Sequence, residues 1–254
     1  MKTLLLNFCL ITLFAFASAT HGQQPLPSSV EPPVQAAAKT FQLDSKLMAR
    51  QMPYGVVLPT NYENEKLARF PVIYLLHGGG GSYKNYFATP QLLKFFTQDR
   101  FIFVSVEGGM GFYTDSATKA NDKYESYVMN ELIPEVDKHF RTDAERKGRG
   151  VAGISMGGYG ALKFGIKYPA MFALAVSWSG ATQVGSSRKA DDMQYSPSFV
   201  QALTAIFGDG TSSATRTAND LFKLFRDLPA EKIGELPFFY LDCGTEDELL
   251  LLKL

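Results

Sequence analysis

The five residues Gly153-Ile154-Ser155-Met156-Gly157 constrain this chain more than any other stretch. A serine with glycine two positions before it and two after it suits a sharp turn from a strand into a helix, where backbone segments approach too closely for larger side chains. The flanking residues supply both elements. Residues 150–154 read as a strand, and residues 157–168 read as a helix closed before Pro169. Gly158 and Gly160 keep the start of that helix small. Ser155 is therefore the candidate nucleophile. A serine in that role needs a neighbouring base, most often a histidine. The three histidines, His21, His77 and His139, all precede Ser155.

The rest of the chain alternates strand and helix signals. Residues 53–58, 71–76, 101–106, 172–177 and 237–242 are short apolar runs bounded by proline or glycine, and each reads as a strand. Residues 124–140 repeat apolar side chains at every fourth position, which predicts a helix with a kink at Pro134. Residues 198–207 and 218–228 read as two more helices around a loop at 208–213. Strands separated by helices imply an α/β fold, a mostly parallel sheet with helices on both faces. Such sheets bind ligands beyond the carboxyl ends of their strands. Ser155 and the run His77-Gly78-Gly79-Gly80-Gly81 both fall there.

Composition narrows the function classes. Twenty-five basic residues balance twenty-five acidic ones, so no global charge draws this chain to nucleic acid or to an anionic membrane. The N-terminus has the pattern of a cleaved signal peptide at 1–19: Lys2, an apolar stretch over 4–17, and Ala17-Ser18-Ala19. The apolar stretch is short for a membrane span, so no lasting anchor is expected and the mature protein is secreted or periplasmic. Residues 20–39 contain Pro25, Pro27, Pro32 and Pro33 and read as a flexible linker, with the folded domain over 40–254. After cleavage Cys243 is the one remaining cysteine, which precludes an intramolecular disulfide. Its apolar neighbours predict a buried packing role. The histidines and cysteines show no ligand spacing, so neither metal nor cofactor is expected.

Chemistry beyond Ser155 is expected in two loops. Acyl transfer needs two N–H donors aimed at the developing oxyanion. One is expected from Met156, the residue after the nucleophile, and the other from Gly79, with Gly80 as second choice. His77 is expected to fix its loop by hydrogen bonds rather than act as base. The second loop is Asp242-Cys243-Gly244-Thr245-Glu246-Asp247, following an apolar strand. Asp247 is the candidate acid that orients a histidine, Glu246 is the alternate, and Asp242 reads as structural. His139 suits the carboxyl end of its helix.

These pieces together resemble the esterases of the α/β-hydrolase fold that include S-formylglutathione hydrolases, secreted mycolyltransferases and family 1 carbohydrate esterases. The resemblance runs from about Phe41 onward. It is carried by Pro71-Val72-Ile73-Tyr74-Leu75-Leu76-His77-Gly78, Glu107-Gly108-Gly109 with Tyr113-Thr114-Asp115-Ser116, Glu131-Leu132-Ile133-Pro134, the elbow around Ser155, and the Asp242–Asp247 loop. It implies an α/β-hydrolase fold, Ser155 as nucleophile, Asp247 as acid, and Gly79 and Met156 as oxyanion donors. In that family the catalytic histidine follows the acid by a few tens of residues. The expectation is thus an exported carboxylic-ester hydrolase whose chain is truncated and lacks its last strand and helix, acting on a small-molecule or polysaccharide-linked ester. A non-catalytic binding protein on the same scaffold and an acyltransferase to a sugar acceptor are the alternatives. Glu107 stands where relatives often carry aspartate.

Overall fold

The computed structural model of this chain describes residues 38–98, 100–186, 196–210 and 213–247. The expected signal peptide, most of the expected linker, His21 and the final leucine-rich run lie outside the described residues.

Seven strands form one sheet: β1 (Ala38–Ser45), β2 (Arg50–Val57), β3 (Val72–Leu76), β4 (Ile102–Val106), β5 (Arg149–Ile154), β6 (Leu174–Trp178) and β7 (Phe238–Asp242). Their spatial order is β1-β2-β4-β3-β5-β6-β7. β1 pairs with β2, and β2 with β4, in antiparallel fashion; the other four pairings are parallel. The α/β expectation and the mostly parallel sheet are therefore met. β1 is a strand that the sequence pattern does not announce. Its side chains alternate between half-buried and exposed, and it occupies residues 38 and 39, which the linker was expected to hold.

Helices cover both faces. α1 (Pro90–Gln98) places Leu93 and Phe96 against Leu75, Phe103 and Ala152 on one face. On the other, α3 (Ile133–His139) and α4 (Met156–Lys167) bury Ile133, Val136, Leu162 and Phe164 against Tyr74, Leu76, Val104 and Val151. Adjacent residues of β3 thus serve opposite cores, as the two-residue period of a strand requires. Burying each such large apolar side chain contributes about 1.5–3 kcal/mol.

The long helix expected over 124–140 is broken into three. A short α2 (Tyr124–Tyr127) runs into a π turn (Val128–Leu132) and then into α3. Pro134 has no N–H to return to the preceding turn, and the widened turn lies directly before it. Farther along, α5 (Pro197–Phe207) matches its expected span, while α6 (Ala214–Thr217) and α7 (Leu221–Arg226) replace the single helix expected over 218–228. Ser213 caps α6, and Asp220, between the two, caps α7; each accepts a backbone N–H.

Candidate active site

Parallel register sets the site. Leu76 lies opposite Gly153, Ile154 opposite Trp178, and Trp178 opposite Asp242. The loops that leave β3, β5, β6 and β7 therefore emerge along one edge of the sheet, which is where the sequence placed His77, Ser155 and the acidic loop.

Ser155 sits between β5 and α4 with φ of 54° and ψ of −114°. A positive φ is unfavourable for a side chain with a Cβ, and a backbone held there costs on the order of 1–3 kcal/mol. Three hydrogen bonds brace the turn. Ser155 N–H donates to Trp178 O at 2.9 Å, and Ser155 O accepts from Tyr159 N–H and Ala181 N–H, each at 3.0 Å. Close approach explains the flanking glycines. A Cβ on Gly157 would lie 1.9 Å from Leu76 O, and one on Gly153 would lie 2.3 Å from Gly157 C. Ser155 is half-buried and stands at the N-terminus of the twelve-residue α4, whose first free N–H groups begin at Met156.

The glycine loop lies beside the elbow. A Cβ on Gly78 would come within 3.6 Å of Ser155 Cβ and 3.4 Å of Ile154 O. A turn closes from Gly81 N–H to Gly78 O at 3.0 Å, with Gly80 at φ of 74°. Gly79 and Gly80 are exposed. Gly80 N–H donates to Met110 Sδ at 3.0 Å.

His77 is buried, and both ring nitrogens are engaged. Nδ1 lies 2.8 Å from Gly78 O and must donate, because a carbonyl only accepts. Nε2 accepts Gly108 N–H at 2.9 Å. The neutral imidazole is thus a bracket between the glycine loop and the loop after β4, in keeping with the loop-fixing role read from the sequence. Tyr113 OH adds a bond to His77 O at 3.0 Å. Glu107 Oε1 lies 3.5 Å from Nε2. Burial pushes the Glu107 carboxyl upward, but it lies below its usual value, lowered in part by hydrogen bonds from the N–H groups of Gly109 and Tyr83.

The loop after β4 is itself clamped to α4. Phe112 and Tyr113 both have φ of 50°. Buried Lys163 on α4 donates to Tyr113 O and Thr114 Oγ1, each at 2.7 Å, and pairs with Glu125 Oε2 at 2.9 Å. Lys167 and the Tyr168 hydroxyl complete the carboxylate's partners at 2.5 Å and 2.7 Å. Burial raises the Glu125 carboxyl, yet Lys163 and Lys167 together bring it well below the usual range. Burial also lowers the Lys163 ammonium.

The acidic loop is placed differently. Asp242 ends β7, as expected of a structural residue, and its carbonyl accepts Ser179 N–H at 2.9 Å. It lies two strand spacings from Ile154, about 10 Å along the sheet. Asp247 closes a turn back to Gly244 O at 3.2 Å, and its carboxylate lies 3.9 Å from Cys243 Sγ. Glu246 is exposed. Cys243 departs from expectation: it is half-buried one residue past a largely exposed strand, with Sγ 3.9 Å from Ser179 Oγ. Phe238, Tyr240 and Leu241 before it are exposed and only Phe239 packs inward, so the run that suggested a core position does not form a buried strand. His139 occupies the last turn of α3, bonded to Glu135 O at 2.9 Å and half-exposed, away from the elbow's loops. The sequence reading missed Met110, for which no pattern gives a signal. It also missed the bracketing roles of Gly108 and Tyr113, although both fall in stretches that carry the family resemblance.

Comparison with known proteins agrees with this geometry. The family model described as "Putative esterase" matches residues 45–223. An esterase of Mycobacterium tuberculosis is 40% identical over 132 residues, covering 50% of this chain and 28% of that protein, so this chain spans little more than a quarter of that relative. An acetyl esterase of Caldicellulosiruptor saccharolyticus is 26% identical over 213 residues, covering 81% of this chain and 79% of its own length. Among solved structures, a fluorophosphonate-binding serine hydrolase of Staphylococcus aureus superposes with a TM-score of 0.70 at 22% identity, covering 85% of this chain and 82% of that one. With most of its length inside the family match and the elbow at its sheet edge, this chain belongs to that esterase family, the carboxylic-ester hydrolases of the α/β-hydrolase fold.

Proposed function

We propose that this chain is an exported serine ester hydrolase in which Ser155 attacks the acyl carbon. The observation that carries the reading is the strained backbone at Ser155, held at the N-terminus of α4 beside the glycine loop. Gly79 N–H and Met156 N–H receive the oxyanion; each such donor is worth about 3–4 kcal/mol of barrier. The bond from Gly80 N–H to Met110 Sδ favours Gly79 over Gly80 as the loop's donor. Asp247, rather than Glu246, orients the base. Neither His77, which spends both ring nitrogens on backbone groups, nor His139, which lies on another element, serves as that base.

The signal-like residues 1–19 support export, and no helix among the described residues is long and apolar enough to cross a membrane. The acetyl esterase relative supports a short-chain acyl ester, free or attached to a polysaccharide. Occupation of both His77 nitrogens also favours a second reading, a binding protein on a hydrolase scaffold.

Hydrolysis of p-nitrophenyl acetate by the mature chain and by Ser155→Ala separates the two. The chain should turn over slowly, since neither His77 nor His139 is placed to act on Ser155 and a triad without its base loses several orders of magnitude. Imidazole should restore part of that rate in the chain but not in Ser155→Ala. Equal rates for the two proteins, with and without imidazole, would reject the hydrolase reading.

A further inference from the structure

We propose that Met110 is a sulfoxidation site that latches the glycine loop, so that a hydroperoxide unlatches it. Met110 follows the Gly108-Gly109 pair and is 47% exposed. Met48, Met52, Met129 and Met156 are 1–5% exposed, and Met171 is half-buried. Among the described methionines, Met110 therefore offers its thioether most openly, and exposure governs methionine oxidation. Its surroundings make the sulfur consequential. Sδ accepts Gly80 N–H at 3.0 Å, and a Cβ on Gly79 would meet Cε at 3.6 Å and Sδ at 3.7 Å. The same side chain lines a cavity of about 250 Å³ shared with Gly111, Tyr124, Ala202 and Ile206, which gives an oxidant a route and an oxidised side chain room.

The chemistry balances as an oxygen transfer. A lone pair on Sδ attacks the distal oxygen of hydrogen peroxide, the O–O bond breaks, an S–O bond forms, and proton transfer releases water. The thioether loses two electrons and the peroxide gains them. A thioether sulfur is a weak acceptor, but a sulfoxide sulfur carries positive charge and accepts nothing. The Gly80 N–H must then turn to the new oxygen or to water, and the loop turns with it. Gly80 already sits at a positive φ that glycine adopts freely, so the loop moves at small conformational cost.

The effect on catalysis rests on the proposed role of Gly79, whereas the oxidation and the loop movement do not. The full chain and Met110→Leu are titrated with hydrogen peroxide, followed by peptide mass spectrometry and amide NMR. Met110 should gain one oxygen at least roughly fivefold faster than the four buried methionines. The Gly80 amide resonance should shift at the same rate, return with methionine sulfoxide reductase, and stay fixed in Met110→Leu. Oxidation of the buried methionines at the same pace, or an unmoved Gly80 resonance once Met110 is oxidised, overturns the latch. Imidazole-supported turnover should fall several-fold on oxidation of the chain but not of Met110→Leu. Turnover independent of Ser155 would reject the hydrolase reading and leave the latch standing. Ser155-dependent turnover untouched by Met110 oxidation would reject the catalytic consequence of the latch.

Discussion

Strands β5 and β7 lie two positions apart in one sheet and end in the loops of Ser155 and Asp247, yet they are built differently. β5 buries Arg149 through Gly153 and exposes only Ile154. β7 exposes Phe238, Tyr240, Leu241 and Asp242 and half-buries Phe239. Behind β5, Gly157 touches the backbone of β3 so closely that no other residue fits. In the acidic loop, a Cβ on Gly244 would find its nearest neighbour at 4.0 Å. The turn at Ser155 is held by close contacts with β3 and a hydrogen bond to β6. Asp247 sits on a loop beyond a strand that, among the described residues, is an edge. A strained site persists only where its surroundings over-determine it, and β5 meets that condition.

The largest test of this contrast is one substitution made in both loops. Gly157→Ala should destabilise the fold by about 3 kcal/mol or more, because backbone atoms on both sides cannot yield. Gly244→Ala should change stability by less than about 0.5 kcal/mol. Urea midpoints measure both, and equal losses would end the contrast.

A second pair compares buried with exposed charge. Lys163→Met leaves Glu125 buried without its fully buried partner and removes two bonds to the loop after β4, at a cost of about 3 kcal/mol. Lys232→Met breaks an exposed pair with Glu235 and should shift the midpoint by less than about 0.5 kcal/mol. The buried pair also predicts acid sensitivity. The folded-state Glu125 carboxyl lies below its unfolded value. Its contribution is therefore complete above the unfolded value of about 4.3 and is lost as pH falls toward the folded one. Glu125→Gln should flatten that acid limb, and an unchanged limb would discount the network.

The smallest effect belongs to the edge. Phe238→Thr, at a side chain 69% exposed, should alter stability by less than about 0.5 kcal/mol. Val104→Thr, at a fully buried position of β4, should cost about 1–3 kcal/mol by burying a hydroxyl. A large loss at Phe238 would mean that β7 is covered in solution.

Much of the fold was legible because it rests on local signals. Bounded apolar runs marked β2 through β7, and proline marked the break in the helix over 124–140. β1 was not legible, because its alternation is weak and its first residues follow a proline-rich stretch. Nor was α1, whose apolar side chains Leu92, Leu93, Phe95 and Phe96 cover little more than one turn. The start of α6 and the division between α6 and α7 depend on side-chain caps at Ser213 and Asp220, which resemble ordinary loop residues until their partners are known. Cys243 was misjudged because an apolar run implies burial only when another layer covers it.

Sequence by itself determined the elbow, since glycine, serine and glycine at those intervals meet a steric demand that is local to the turn. It also determined the alternation of strand and helix, and with it the edge where the loops gather. Tertiary structure decided what each loop residue does there. His77 became a bracket because Gly108, thirty-one residues away, meets one of its nitrogens while the neighbouring Gly78 takes the other, and Met110 met Gly80 across thirty residues. Such contacts depend on the register of strands distant in sequence, and pattern within any one stretch carries no record of them.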